Sequence, residues 1–270
     1  MLTQEYRSRF GGLARVLGAD ALPRLQTAHF CIVGIGGVGS WAAEAAARSG
    51  IGNITLIDHD DIEPSNTNRQ IHSLNNTMGQ SKVEVLAERI CQINPECVCY
   101  PVDDLVTRAS LEKFNFKQFD YVIEAIDHVS HKLSLMHYCR RHKIRIVSTG
   151  GAGGLTDPTA ITVSDLTQSY NDPLLAKVRL TLRQQLGYSR NPKRRFGLDC
   201  VFSTEQPMYP AVDGGISHAK PGSDERTTLD CNTGIGSFVG VTASFGFTAF
   251  SHAINKYLKS FKTCNPIAKD

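Results

Sequence analysis

With 270 residues, 41% of them apolar, the chain can close a substantial core, and a disordered or fibrous protein is excluded. The formal net charge of +3, from 29 Lys and Arg against 26 Asp and Glu, is too small to establish a nucleic-acid partner by its field, though local basic runs could still contact phosphates. Eight cysteines include no CxxC pair, so the thiols read as reduced in a cytoplasmic chain, and no zinc is expected.

The opening MLTQEYRSRF has no apolar run behind it, so neither a signal peptide nor an anchor is expected there. Through the first 150 residues strand-like runs alternate with amphipathic stretches. Strands are predicted at 29–35, 53–58, 97–102, 121–126 and 145–149, with helices over 39–50, 81–94 and 130–142. That alternation predicts an α/β fold, a Rossmann-like, doubly wound and mostly parallel sheet with an elaborated C-terminal half. After Gly150-Gly151 the pattern loosens: AITVSDLT and DCVFST read as strands, 172–187 as a helix between them, and SRNPKRRFG as a basic loop. Residues 211–230 are polar, rich in Gly and Ser, and read as a mobile surface loop. The stretch 234–254 is nearly free of charge over a length that could span a bilayer, so membrane association through it is an alternative. Its many small and hydroxylated residues favour a helix packed closely against a sheet.

Gly34, Gly36 and Gly39 in CIVGIGGVGS match G-x-G-x-x-G, a tight turn that lets backbone and a helix N-terminus approach a phosphate chain. This pattern alone does not choose between NAD, FAD and ATP, because an acid at the end of the second strand, here Asp58, can take ribose hydroxyls from any of them. The stretch that follows narrows the choice. Asn66, Arg69 and Lys82 lie within about one β-α-β unit of the loop, and Asp127 ends the YVIEAID run. Hydride transfer has little need of an Arg and a Lys beyond the pyrophosphate, whereas nucleotidyl transfer builds charge on phosphate oxygens. Asp127 could instead be a helix N-cap, and Arg69 and Lys82 could be a solvated pair.

The segments VGIGGVGS, LIDHDDIEPSNTNRQ, GQSKVE and AID resemble the ubiquitin-activating-type adenylating enzymes, which include members of the molybdopterin and thiamine pathways. The resemblance covers about residues 5–166. RFGGLARVLG near the start and GIGSFVGVTASFG near the end extend it over nearly the whole chain, towards the branch that acts on threonylcarbamoyladenosine in tRNA. It implies a single adenylating domain over 1–270, with a nucleotide-binding half (1–150) and a half for substrate and dimer contacts (151–270). It also implies that Gly34, Gly36, Gly37 and Gly39 line the ATP phosphates, with Asp58 and Asp60 at the nucleotide and Asp58 on the ribose. Asn66, Arg69 and Lys82 would then engage the triphosphate, Asp127 would coordinate Mg2+, and Arg9 would reach across a homodimer. The expected reaction is ATP-dependent cyclisation of the modified adenosine through carboxylate adenylation. The alternative is activation of a small sulfur-carrier protein's C-terminus; hydride transfer and a tRNA-binding scaffold without chemistry are weaker rivals. A monovalent cation, K+ or Na+, and a cysteine desulfurase with its sulfur acceptor are further implications of the resemblance. If tRNA binds, the basic run 190–195, ahead of 140–145, is expected beside the ATP site. Cys200 and Cys231 are the thiols available to carry an acyl group, without a strong motif; buried thiols are the expected outcome. His128, His131, His137 and His142 read as surface or packing residues.

Overall fold

The computed structural model describes residues 2–191, 193–211, 214–219 and 235–262. Thr3 accepts the Tyr6 N–H and caps α1 (Gln4–Leu17), which leads into the short α2 (Ala21–Thr27). Neither helix is apparent in the sequence, because Gly11-Gly12 interrupts α1, Pro23 lies in α2, and α1 buries only Tyr6 and Phe10.

The strands are β1 (His29–Val33), β2 (Asn53–Asp58), β3 (Val98–Asp103), β4 (Tyr121–Glu124), β5 (Ile146–Thr149), β6 (Ile161–Asp165) and β7 (Asp199–Ser203). They form one sheet in the order β3-β2-β1-β4-β5-β7-β6, parallel throughout except for β6, which runs antiparallel to β7. Between β1 and β4 the order reverses, and this switch point is where open α/β sheets leave a crevice at the carboxyl ends of the strands.

Successive side chains on a strand point to opposite faces, and both faces are covered. Phe30 and Ile32 of β1 join a core under α3 (Gly39–Arg48), α4 (Lys82–Ile93) and α7 (Val239–Lys262). Cys31 and Val33 join a second core under α5 (Val129–Arg141) and α6 (Pro173–Gln185). Along α7 the buried residues Val241, Phe245, Ala249 and Ala253 recur every fourth position and form its packed stripe. Gly246 lets α7 close on α3, since a Cβ there would sit 2.5 Å from the Val38 carbonyl oxygen. The small residues that α7 contributes to this stretch therefore serve helix packing, and among the described residues no helix is long and apolar enough to cross a membrane.

The predicted mobile loop is in part structured. Strand β8 (Tyr209–Pro210) pairs antiparallel with β9 (Ile216–Ser217), while 212–213 and 220–230 lie outside the described residues. At the opposite margin, β3 is an edge strand with Val98 and Tyr100 exposed. Its Val98 N–H donates to Gly52 O, and the following Asp104 N–H donates to Asp58 O, so even positions face β2 and Pro101 turns its nitrogen to the free side.

Candidate active site

The glycine loop continues β1 and is tied to β2, because the Gly34 N–H donates to the Ile57 carbonyl at 2.9 Å. Gly34 has φ +85°, and a Cβ there would lie 2.7 Å from the Ala125 carbonyl oxygen, in the chain that continues β4. At Gly39 a Cβ would lie 1.8 Å from the Gly34 carbonyl oxygen, which fixes how closely α3 meets the loop. Gly37 abuts the Arg69 stem, with Cγ 3.1 Å from the Cβ position, whereas the nearest atom to a Cβ on Gly36 is the Gln70 Nε2 at 3.8 Å. Two of the glycines are thus demanded by packing, and Gly36 leaves open space at the crown. No side chain caps the N-terminus of α3; the Ser40 N–H is taken by Gly36 O at 3.1 Å, and the positive end of the helix dipole at the crown suits an anion.

The Asp58 carboxylate locks the loop to the end of β2. Its Oδ2 accepts the Ile35 N–H and its Oδ1 accepts the Asp60 N–H at 3.0 Å. A carboxylate offers about four lone-pair sites, so two remain for ligand hydroxyls. Lys82, at the first position of α4, is 5% exposed, and its Nζ lies 2.7 Å from Oδ2 of the half-exposed Asp60. Asp58, His59 and Asp60 bring one donor atom each within 4.8 Å of one another. The ammonium on Asp60 makes that cluster a poor place for a second cation.

Between β2 and α4 the chain folds over the cradle. Glu63 and Asn66 form a reciprocal capping box around the 3₁₀ turn Pro64–Asn66, which buries the Asn66 side chain. Arg69 is buried beside it, its Nη1 donating to Ser65 O at 2.8 Å and Asn68 Oδ1 at 3.0 Å, while Trp41 Nε1 on α3 donates to the Arg69 carbonyl at 2.9 Å. The structure therefore brings Gly34, Gly36, Gly37, Gly39, Asp58, Asp60, Asn66, Arg69 and Lys82 into one region at the carboxyl edge.

Other residues of this region carry no sequence motif. Imidazole Nε2 of His72, 1% exposed, lies 2.9 Å from the Ile35 carbonyl and braces the glycine loop from behind. Burial holds the His72 pKa below its ordinary value despite the Ile35 bond, and nearby Lys82 adds to the lowering, so the ring is neutral. Ser40 Oγ, Gln70 Oε1, His72 Nδ1 and Ser73 Oγ are buried polar atoms with no partner among the described residues. Such atoms are exceptions in a folded protein, and Ser40 and Gln70 flank the crown where a ligand would supply a partner.

Asp127 lies just beyond β4, exposed, and its carboxylate has no hydrogen-bond or ion-pair partner among the described residues. His128 rather than Asp127 takes the N-cap position of α5, so the capping role does not hold. Beneath it sits a pair the sequence did not announce. Lys132 and Glu124 are both fully enclosed; Nζ lies 2.8 and 2.7 Å from the two carboxylate oxygens, 3.2 Å from Ser148 Oγ and 2.8 Å from Thr149 O. Glu124 Oε1 also accepts the Ile126 N–H at 2.7 Å, which fixes the backbone that carries Asp127.

Three expectations need correction or restriction. Arg9 is on α1, where it pairs with Glu5 at 3.0 Å and reaches Ile93 O at 3.4 Å, so within one chain it is not part of the cradle. Both basic runs precede parallel strands, β5 and β7, and so lie at the amino edge of the sheet, opposite the nucleotide crevice, with Arg140 Nε bound to Phe196 O at 2.6 Å. Cys200 lies wholly inside the sheet, and burial pushes its thiol pKa far up, which is unsuited to an acyl carrier; Cys231 lies outside the described residues. The histidines of α5 pack as expected: His128 and His131 rings lie 4.3 Å apart, and His137 meets Tyr188 Oη at 3.2 Å.

A switch-point crevice with an anion cradle, a ribose-ready carboxylate and an Arg and a Lys beyond it defines a nucleotide-binding α/β protein of the adenylating type. The chain belongs to the ThiF family, which it matches over residues 8–267. It is 51% identical over 258 residues to the tRNA threonylcarbamoyladenosine dehydratase of Escherichia coli, covering 96% of each chain. Among solved structures it is similar to the E. coli tRNA N6-threonylcarbamoyladenosine dehydratase in complex with ATP, at 47% identity and a TM-score of 0.86, covering 98% of this chain and 100% of that one. The AMP complex of the same enzyme is similar at 48% identity and a TM-score of 0.86, covering 97% and 99%.

Proposed function

We infer that this chain is an ATP-dependent enzyme that dehydrates threonylcarbamoyladenosine in tRNA, working in the cytoplasm. The observation that carries this reading is a likeness that runs the full length of both chains, second half included, to an enzyme of that name solved with ATP and with AMP. The cradle at the head of β1 is consistent with the same ligands.

The substrate's threonyl carboxylate attacks the α-phosphorus of ATP and pyrophosphate leaves. A nitrogen or oxygen of the nucleoside's own side chain then attacks the activated carbonyl, the ring closes, and the carboxylate oxygen departs with AMP while the nucleophile releases its proton. Oxygen and protons together account for one lost water. No acyl carrier is needed, because an intramolecular nucleophile has a very high effective concentration. That fits a buried Cys200.

The roles follow from position. Asp58 holds the ribose with its free lone pairs while keeping Ile35 in place. Lys82 exchanges its contact with Asp60 for phosphate oxygens, and Arg69 and Asn66 close the other side. Asp127 is an exposed carboxylate without a partner among the described residues, which suits Mg2+, an ion that commonly takes one or two carboxylates plus phosphates and water. When bound, Mg2+ would neutralise charge on the phosphate oxygens. Arg9 is proposed to act across a homodimer. K+ or Na+, and a cysteine desulfurase with its sulfur acceptor, are proposed on the family resemblance alone, as is a zinc-free chain; assays in each salt, co-purification and metal analysis test them.

The deciding experiment incubates the enzyme with ATP and tRNA carrying the modification, then weighs the nucleosides. The expected product is lighter by one water, and pyrophosphate exchange into ATP requires the modified tRNA. Exchange driven instead by the C-terminus of a small sulfur-carrier protein, with no change in tRNA mass, would replace this reading with the carrier-activating one.

A further inference from the structure

At the same carboxyl edge, beyond β5 and β7, a cleft of about 300 Å³ opens among Tyr170, Asn171, Asp172, Arg179, Gln206 and Tyr209. Its walls are held by charges already in use. Asp172 Oδ1 accepts the Leu175 N–H at 2.9 Å at the start of α6, and its Oδ2 accepts the Gly151 N–H at 3.0 Å. Arg179 Nη1 donates to Leu166 O at 3.0 Å, Ser169 O at 2.8 Å and Ser169 Oγ at 2.6 Å. Those hydrogen bonds hold Asp172 and Arg179 in the walls, and the cleft also presents the Tyr170 ring, the Gln206 amide and His218.

Tyr170 is 52% exposed, with its ring edge-on to Phe202 at 5.6 Å. The neighbouring Asn171 holds a left-handed φ of +56° and donates from Nδ2 to Thr204 O at 2.8 Å, a backbone arrangement that turns the chain sharply after the tyrosine. Gln206 is exposed and has no hydrogen-bond partner among the described residues, so its amide offers both a donor and an acceptor. A flat ring with a free amide nearby suits a nucleobase better than a phosphate.

The distances allow a connection to the cradle. Met208 N–H donates to Gly154 O at 2.8 Å, Gly153 pairs with Ser237, and Ser237 O accepts Asn68 Nδ2 at 2.9 Å, so two short strips of chain, at 153–154 and 236–237, lie between the cleft and Arg69. Parallel strands stand about 4.8 Å apart, so the ends of β5 and β7 are roughly 5 and 10 Å from the end of β4, where Asp127 begins the next turn. An extended arm of four bonds, from the base nitrogen to the threonyl carboxyl carbon, spans about 5 Å. A base over β5 and β7 can thus deliver its carboxylate to the crevice. Gly150 keeps that route low, since a Cβ there would lie 1.7 Å from Asp172 Oδ2.

We propose that this cleft receives the modified adenosine of the tRNA, unstacked from its neighbours, with the base on Tyr170 and the threonylcarbamoyl arm running over Gly150-Gly151 towards Asp127. This rests on the reading under Proposed function and adds where the substrate is held.

The test measures binding, at fixed salt and to the full chain, of an RNA stem-loop carrying the modified adenosine and of the same loop with an abasic site in its place. Phosphate contacts are common to both RNAs, so their affinity ratio reports the base site. Wild type is expected to prefer the modified loop and Tyr170→Phe to keep that preference. Tyr170→Ala should weaken binding of the modified loop by about 5- to 100-fold, the usual range for one lost stacking partner, with ATP binding unchanged. Gln206→Ala should reduce the preference further. An unchanged ratio in Tyr170→Ala, an equal loss of ATP affinity, or no preference in wild type would each overturn the cleft assignment. A wild-type preference that depends on Tyr170, with no dehydration on adding ATP, would leave the cleft standing and sink the reaction instead.

Discussion

Two lysines at the carboxyl edge of the sheet are held in opposite ways. Lys82, on the β2 side, is buried along its stem but has one ionic contact among the described residues, to an aspartate that is itself half exposed. Lys132, on the β4 side, is enclosed with Glu124 and satisfied by both carboxylate oxygens, a serine hydroxyl and a backbone carbonyl. A cation that must let go of its partner to take a phosphate needs a partner that water can solvate. A cation that must never move needs every donor filled. The first arrangement belongs to a binding surface and the second to the frame behind it.

Breaking the frame should give the largest effect. Lys132→Met leaves Glu124 buried and unpaired, so stability should fall by about 3–5 kcal/mol, read from urea unfolding; the double variant with Glu124→Leu should recover much of the loss. A single-variant loss below about 1 kcal/mol, the range of surface pairs, would mean that the pair does not act as frame.

The binding side should show the reverse. Lys82→Ala is expected to shift stability by about 1 kcal/mol or less, because Asp60 can be solvated, while turnover falls by about 10²- to 10³-fold, as when one charge-stabilising donor is removed from a reacting centre. Asp127→Ala should likewise abolish most turnover with little change in melting temperature. Full activity in either variant contradicts the assigned roles.

The smallest effect is a pH dependence. Burial keeps His72 below its ordinary pKa of 6.5, so it is neutral in the fold. As pH falls below 6.5 the unfolded chain takes up the proton first, and stability present above that value is lost. His29, His131 and His137 are lowered by burial too and act with the same sign. Comparing urea midpoints at about pH 7.5 and 5.5 should show the decline, and His72→Gln, which can still donate to Ile35 O, should flatten part of it. An identical slope in the variant would remove His72 from the account.

Much of the nucleotide side could be read before the structure because its determinants are local. The strand predicted at 53–58 is the observed β2, and the glycine spacing, Asp58, Arg69 and Lys82 all fall within one β-α-β unit. The frame was hidden because no motif marks it: Glu124 stands in the apolar run YVIEAI and Lys132 eight residues on, in a helix of mixed polarity, and only the fold encloses the two together. A signal was present, since a carboxylate in a strand buried on both faces requires a partner. The cleft at Tyr170 draws on segments around 171, 179, 206 and 218, and no spacing in the chain connects them. Helices α1 and α2 escaped because glycines and a proline weaken their local propensity while tertiary contacts hold them. The basic runs misled because charge shows in a sequence but the edge of a sheet does not.

Pro101 sits where β3 would otherwise offer a hydrogen-bond donor to solvent. With that donor missing, a neighbouring molecule that tried to extend the sheet across this margin would meet a gap in the ladder. This margin of the sheet is therefore a poor template for a further strand.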